Sequence, residues 1–369
     1  MTSLFQYRMI SDSLLRVNTL AALEEVTIKR DEFEEMLRFS RLMFQLKQNN
    51  HYITSLKDQL PTTADAMFDE SSMLMGYDFH LTDDGPRLIE VNNNAGGLYT
   101  GRDKWMKQPL IAELVGTLEE RISHMFPDTW QTIAIMDDNV TEQYMYPEMQ
   151  YYAALLRQAG RTVFLVSPED IQLKDDGLYV DNQRVDGIYN RHTDFYLDTS
   201  ELAHIRTALM AGQVALNPHP RSYALLGDKS RMVDWWHQGL LEQCLPSDDV
   251  AFIRHIVPEI HLLSVCDKAQ LWQERKIWVF KPAARHGGKG VVLGKAMSRK
   301  RFESLDNETT VVQSYVPPSQ VEHDDVSYKF DVRLYMHGET LIAVSGRLWR
   351  GQVTNFREDG SGWVSLNII

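Results

Sequence analysis

YDFHLTDDGPRLIEVNNNAGG, residues 77–97, is the stretch on which the reading of the fold turns. Two short apolar runs, MLMGYDFHL (73–81) and RLIEVN (87–92), flank a turn rich in Asp, Gly and Pro. That pattern predicts a β-hairpin. Side chains alternate across a strand, so Glu90 and Asn92 share one face, while Ile89 and Val91 are expected to point the other way into a core. Asp78 lies on the partner strand. Three oxygen ligands converging on one sheet face suit Mg²⁺ bridging to nucleotide phosphates. The bland alternative is a solvated polar face, but an acidic residue inside an apolar strand usually has a reason.

Working outward, residues 12–52 read mainly as helix, with Asp31 and Glu34 as a start signal. Phe33, Met36, Leu37, Met43 and Phe44 recur at helical spacing and read as core. From about residue 103 to 125 the pattern is again helical. TIAIMDD (132–138), a helix over 147–159 and RTVFLVS (161–167) then form a strand–helix–strand unit that predicts parallel pairing. GLYVDNQRVDGIYNR (177–191) reads as a hairpin ending in a further strand, a helix follows over 199–212, and the unit closes near 220. GxGxxG is absent after its first strand, so a dinucleotide site is not supported. In the last third, KIWVFKPAARHGGKGVVLG reads as strand, Gly-rich loop, strand. TVVQSYV is another strand, and FDVRLYMHGETLIAVSGRLWR alternates as a long hairpin.

Two more constellations carry chemistry. Between Lys281 and Gly290, three glycines stand among Lys281, Arg285, His286 and Lys289. Glycines let the backbone turn tightly and present N–H groups to an anion, and the cations add charge. The loop is not a Walker A sequence, and a plain hairpin turn is the competing reading. Asp331, Arg333, Arg347, Arg350 and Asn355 form the second. Arginines aimed at one pocket fit recognition of carboxylate and phosphoryl groups, against the common alternative of surface ion pairs. His80, His192 and His219 read more readily as satisfied structural residues than as ligands. Neither HExxH nor GxSxG occurs.

Composition narrows the classes. A chain of 369 residues with 43% hydrophobic content supports a sizeable core in two or three subdomains. A net charge of −13 argues against broad binding to nucleic acid or anionic membrane, which need a positive field. Cys244 and Cys266 lack metal-ligand spacing and read as thiols, which suits a reducing cytoplasm. Arg8, Arg16, Glu24, Glu25 and Lys29 interrupt the first thirty residues, so no signal peptide is expected, and no run approaches a membrane span.

Together these motifs resemble the ATP-grasp superfamily. FKPAARHGGKGV (280–291) resembles its phosphate-covering loop, and GDKSRM (227–232) the segment that opens the small nucleotide subdomain. VVQSYV (311–316) resembles the hinge strand that meets adenine. DVRLYMHGE (331–339) and SGRLWRGQVTNF (345–356) resemble the strands that bring Arg and Asn to the transferring phosphoryl group. The hairpin at 77–97 resembles the metal strand pair, which in most such chains comes last. The order here is similar to the circularly permuted branch, which includes eukaryotic glutathione synthetase and glutathionylspermidine synthase-like bacterial proteins.

The resemblance implies an α/β (α+β) fold with residues 1–128 as the permuted part of the ATP-grasp domain, 129–222 as an inserted open α/β domain, and 223–369 as the nucleotide-binding subdomains. It implies ATP and Mg²⁺, with Lys229, Lys281, His286, Gly287, Gly288 and Lys289 on phosphates and Gln313, Ser314, Tyr315 and Val316 at the adenine. Glu90 and Asn92 would hold the metal. The Gly-rich loop has Arg285 and His286 where eukaryotic glutathione synthetase has a metal-binding Glu, which leaves Asp78 and Asp331 as alternative third ligands. Arg333, Arg347, Arg350 and Asn355 would act on an acyl phosphate that an amine then displaces. Loops 285–290 and 351–362 would act as lids, and Asn190, Arg191 and Asp194 are candidates for substrate contact. The substrates implied are a small carboxylate and an amine, among them amino acids, peptides or polyamines. A homodimer is allowed. A small-molecule kinase or a catalytically silent nucleotide-binding regulator are the competing functions.

Overall fold

The computed structural model describes residues 22–66, 73–99, 101, 114–237, 239–283, 290–352, 354, 356 and 359–369. The expected hairpin is formed by Met75–Thr82 and Gly85–Asn92, with Gly85 in the turn at a φ of +96° that favours glycine. It belongs to a larger sheet. Met75–Thr82 pairs antiparallel with Val326–His337, which pairs with Thr340–Trp349, which pairs with Gly362–Ile368. Glu25–Ile28 closes that edge in parallel with the last strand, and Ser319–His323 pairs with Val326–His337, making seven strands. Segments from both ends of the chain therefore share one sheet.

Glu25–Ile28 falls inside the region read as helix. Val26, Thr27 and Ile28 are β-branched and alternate in burial, and their backbone groups pair with Ser365–Ile368, so the tertiary partner decides their conformation. The helix itself is Arg30–Gln48, and it begins earlier than Asp31. The Lys29 amide donates to the Glu32 carboxylate at 3.1 Å, closing the first turn. Its stripe of Phe33, Met36, Phe39, Met43 and Leu46 is buried against Met75, Tyr77, Phe79 and Leu88 of the sheet. Leu37 and Phe44 sit at the margin, half-buried. The Phe39 ring meets Phe79 edge-on at 5.9 Å. This helix covers the sheet face of the odd residues 77 and 79. Asp78, Glu90 and Asn92 are left on the other face.

Thr132–Met136, Thr162–Val166, Gly187–Asn190 and Ala215–Asn217 form a four-stranded parallel sheet in which 132–136 lies between 187–190 and 162–166. Tyr146–Gln158 is the crossover helix of its first unit. Gly187 is required because a Cβ there would lie 2.1 Å from the Trp130 ring. A third, antiparallel sheet has the order Ile260–Leu262, Thr310–Ser314, Trp278–Pro282, Val292–Leu293. Phe280, Phe302, Val312 and Leu271 form its separate core. Among the described residues, no helix is long and apolar enough to cross a membrane.

Candidate active site

A cleft of about 710 Å³ lies between the polar face of the seven-stranded sheet and the small antiparallel sheet. Asp78, Glu90, Asn92 and Arg333 line it from one side, and Lys281 and Gln313 from the other. Sheet register explains the first group. Asp78 is directly opposite Glu90 on one neighbouring strand and Arg333 on the other, and Asp331 is opposite Arg347. Residues directly opposite on adjacent strands share a face.

The result is a buried network of charge-assisted hydrogen bonds. Arg333 donates to both oxygens of Asp78, at 2.6 and 2.7 Å. Arg347 donates to both oxygens of Asp331, each at 2.7 Å, and to Asp78 Oδ2 at 2.8 Å. Asn92 Nδ2 donates to the same Asp78 oxygen at 3.0 Å, and Thr354 Oγ1 to Asp331 Oδ2 at 3.3 Å. Burial alone would raise the Asp78 carboxyl, but Arg333 and Arg347 overcome it and hold it at about 2. The oxygens of both aspartates are thus directed at guanidiniums.

Ile89 departs from the expected alternation. The register shifts between Asp78 and Phe79, so that Asp78 faces Glu90 but Phe79 faces Leu88. Ile89 is the extra residue of this bulge and lines the cleft instead of the core, whereas Leu88 and Val91 are buried. The bulge also turns the Ile89 carbonyl toward Lys281, whose ammonium donates to it at 3.3 Å and to Gln313 Oε1. Burial pushes the Lys281 ammonium down to about 8; Glu90 opposes the shift and Lys229 adds to it. Lys229 Nζ stands 3.6 Å from Glu90 Oε1 at the start of the helix Lys229–Trp236, which Asp228 caps by accepting from the Ser230 amide. Two lysines and one half-buried carboxylate therefore meet across the cleft.

Gln313, Ser314, Tyr315 and Val316 line the cleft together. The Ser314 and Tyr315 amides are spent on the carbonyls of Glu259 and Ile277, each at 2.7 Å, which fixes the course of this segment. His80 completes it, donating from Nδ1 to the Val316 carbonyl at 3.1 Å. Burial, partly offset by that bond, holds the His80 imidazole at about 4, so it is neutral at physiological pH. His80 belongs to the cleft as well as to the structure. Its position two residues past Asp78 on the same strand face was a usable signal. Trp349, Lys329, Thr354, Tyr144 and Met145 also line the cleft and were not singled out from sequence, because loops and distant strands bring them there.

Other candidates lie elsewhere. Arg350 is exposed and outside the cleft lining. His286, Gly287, Gly288 and Lys289, with Arg285, and Asn355 lie outside the described residues. Arg191 is buried and donates to Asn94 Oδ1, to the Ala95 carbonyl and to the Tyr189 hydroxyl. Asn190 bonds the His192 amide, and Asp194 the Thr199 amide. His192 lies 3.3 Å from Glu201, and His219 accepts from the Arg221 amide. Among the described residues, no group of three or more His, Cys, Asp or Glu is arranged to hold a metal ion. Glu90 and Asn92 still offer a hard oxygen pair: with Nδ2 bonded to Asp78, the Asn92 carbonyl oxygen remains for a cation. Mg²⁺ typically takes one or two protein carboxylates and fills its remaining positions with water and phosphate, so this pair fits it.

No family model matches the sequence, and no curated protein matches it. Solved structures do match in shape. A glutathione synthetase-like effector from Globodera pallida has a TM-score of 0.60 at 10% identity, over 95% of this chain and 90% of that one. A protein from Methylobacillus flagellatus KT, named as a candidate gamma-glutamylcysteine synthetase, has a TM-score of 0.51 at 14% identity, over 89% of this chain and 86% of that one. The sheets, the cleft between them and these likenesses together show that the protein has an ATP-grasp-type fold.

Proposed function

We propose that the protein is a Mg-ATP-dependent ligase that joins a carboxylate to an amine through an acyl phosphate. The observation that carries the reading is the single cleft in which Glu90 and Asn92 face Lys229 and Lys281, with Arg333 and Arg347 beside them. It is supported by the names of the two structures of similar fold, one a glutathione synthetase-like effector and the other a candidate gamma-glutamylcysteine synthetase. The division into residues 1–128, 129–222 and 223–369 is part of the same proposal.

Adenine would rest against Gln313–Val316, and the triphosphate would run toward Lys229, Lys281 and the Gly-rich loop. Glu90 and Asn92 would hold Mg²⁺, which would supply positive charge to offset that of the phosphates. A substrate carboxylate oxygen attacks the γ-phosphorus and ADP leaves. Arg333 and Arg347, fixed by Asp78 and Asp331, present N–H groups of set direction to the developing charge, which is effective because they need no reorganisation. The amine then attacks the acyl carbon, phosphate leaves, and the amine's proton passes to solvent.

The test is ADP release from Mg-ATP with purified protein and a panel of amino acids, peptides and polyamines, singly and in pairs. Release that requires one acid and one amine, with the condensed product by mass, is expected. Phosphorylation of a single hydroxylated compound would make the protein a kinase. Nucleotide binding without turnover across the panel would leave a silent regulator.

A further inference from the structure

On the Gly96–Gly97 side of Arg333 the cleft changes character. Arg333 Nη1 donates to the Gly96 carbonyl at 3.2 Å, and the Tyr335 hydroxyl donates to the same oxygen at 3.3 Å. A Cβ on Gly96 would lie 3.1 Å from Met145 Cε, and one on Gly97 would lie 2.1 Å from Trp363 Cζ2. Gly97 has φ +94°, so backbone and indole are in direct contact where a side chain would stand between them. Phe356 meets Trp363 edge-on at 4.9 Å. Met145, Phe356, Trp363 and the two glycines all line the cleft. Arg333 is thus adjoined by thioether and aromatic rings packed on bare backbone; the Arg191 guanidinium, 3.2 Å from the same Cβ position on Gly96, is outside the cleft lining and donates to Asn94, the Ala95 carbonyl and the Tyr189 hydroxyl.

The charges nearby are already committed. Asp78 faces two arginines, Asp331 faces Arg347, and Glu90 faces Lys229. The Lys329 ammonium donates to the Gly351 carbonyl. A polyamine or a zwitterionic peptide tail placed here would lose water and find no uncommitted carboxylate among the described lining residues. An apolar tail would lose water at no such cost and gain ring and thioether contacts.

Resting on the ligase reading above, we infer that the acid activated by this protein carries an apolar group of about aromatic size, seated against the cleft-lining surfaces of Met145, Phe356 and Trp363. Substrate choice then follows from Met145, Phe356 and Trp363, and the polar network supplies only the reacting end.

Two measurements separate this inference from the reading beneath it. Binding of 3-phenylpropanoate, hexanoate, glutamate and glutathione is measured by calorimetry on protein loaded with Mg²⁺ and a non-hydrolysable ATP analogue. Acyl-phosphate formation is measured with Mg-ATP and hydroxylamine, which traps each activated acid as its hydroxamate without the natural amine. The expected result is binding of the two apolar acids at least about tenfold tighter than glutamate, with hydroxamate from the same acids. Trp363→Ala should weaken them about tenfold while ATP affinity stays within twofold; Trp363→Phe should restore most of it. Met145→Lys should do the same without touching the rings, and it keeps the test open if Trp363→Ala does not fold. Tight binding of the apolar acids without hydroxamate would sustain the compartment and remove the ligase. Tighter binding of glutamate or glutathione, binding of no acid at all, or indifference to both Trp363→Ala and Met145→Lys would overturn the inference.

Discussion

The two walls of the cleft hold their charges in different ways. On the seven-stranded sheet, Asp78, Asp331, Arg333 and Arg347 are buried, opposite one another in register, and bonded at 2.6 to 2.8 Å. Facing them, Lys229 stands 3.6 Å from a half-buried Glu90, and Lys281 rests on a carbonyl and an amide oxygen. On the first wall every oxygen of Asp78 and Asp331 accepts from a guanidinium of the same sheet. The second sets Lys281 on neutral oxygens and Lys229 at a longer distance from a single carboxylate.

The largest way to break that contrast is Asp78→Ala. It strands the buried Arg333 guanidinium and takes one bond from Arg347, which keeps Asp331, so denaturant unfolding should report a loss of about 3–5 kcal/mol. The sign with pH follows from the depressed carboxyl. Asp78 contributes stability above its ordinary value of 3.8 that is lost as pH falls toward about 2, and Asp78→Ala should remove that component of the acid transition. Unchanged stability in this variant would mean that the network does not hold the sheet.

Glu90→Gln should act on turnover and leave the fold intact. Steady-state ADP release should fall by about a hundredfold or more, since even outer-sphere losses at metal sites reach 10–100-fold. Nucleotide affinity without Mg²⁺ should change little. Near-normal turnover would take Glu90 out of the metal site.

Lys281→Ala should weaken ATP about tenfold by calorimetry, close to 1.4 kcal/mol. The smallest effect is the pH dependence of the same residue. The free ammonium titrates near 8, so ATP affinity should fall a few-fold as pH rises from 7 to 9. Lys281→Arg, which stays charged, should flatten that profile. A flat wild-type profile would assign the phosphates to other cations.

Much of this site was legible because strands alternate. The shared face of Glu90 and Asn92, with Asp78 on the partner strand, follows from two short strands on either side of a tight turn. Arg333 and Asp331 share a face for the same reason. The direct pairing of Asp78 with Glu90 needed the bulge as well. The strand Thr310–Ser314 and the parallel unit around Thr132–Met136 were legible as apolar runs. What escaped was set by distant partners. Ile89 faces the cleft because one residue is bulged out of register with Phe79. Residues 25–28 are a strand because the last strand of the chain lies beside them.

The sequence by itself determined which segments alternate, where they turn, and which faces carry acids, amides and lysines, because these depend on neighbours a few residues apart. Tertiary structure decided what those faces meet. Arg333 bonds Asp78 across 255 positions, and Arg347 bonds it across 269. Those partnerships turn oxygens that read as metal ligands into anchors for arginines. The physical reason is burial: a carboxylate withdrawn from water takes the strongest donor that the fold places beside it, and only strand register says which donor that is.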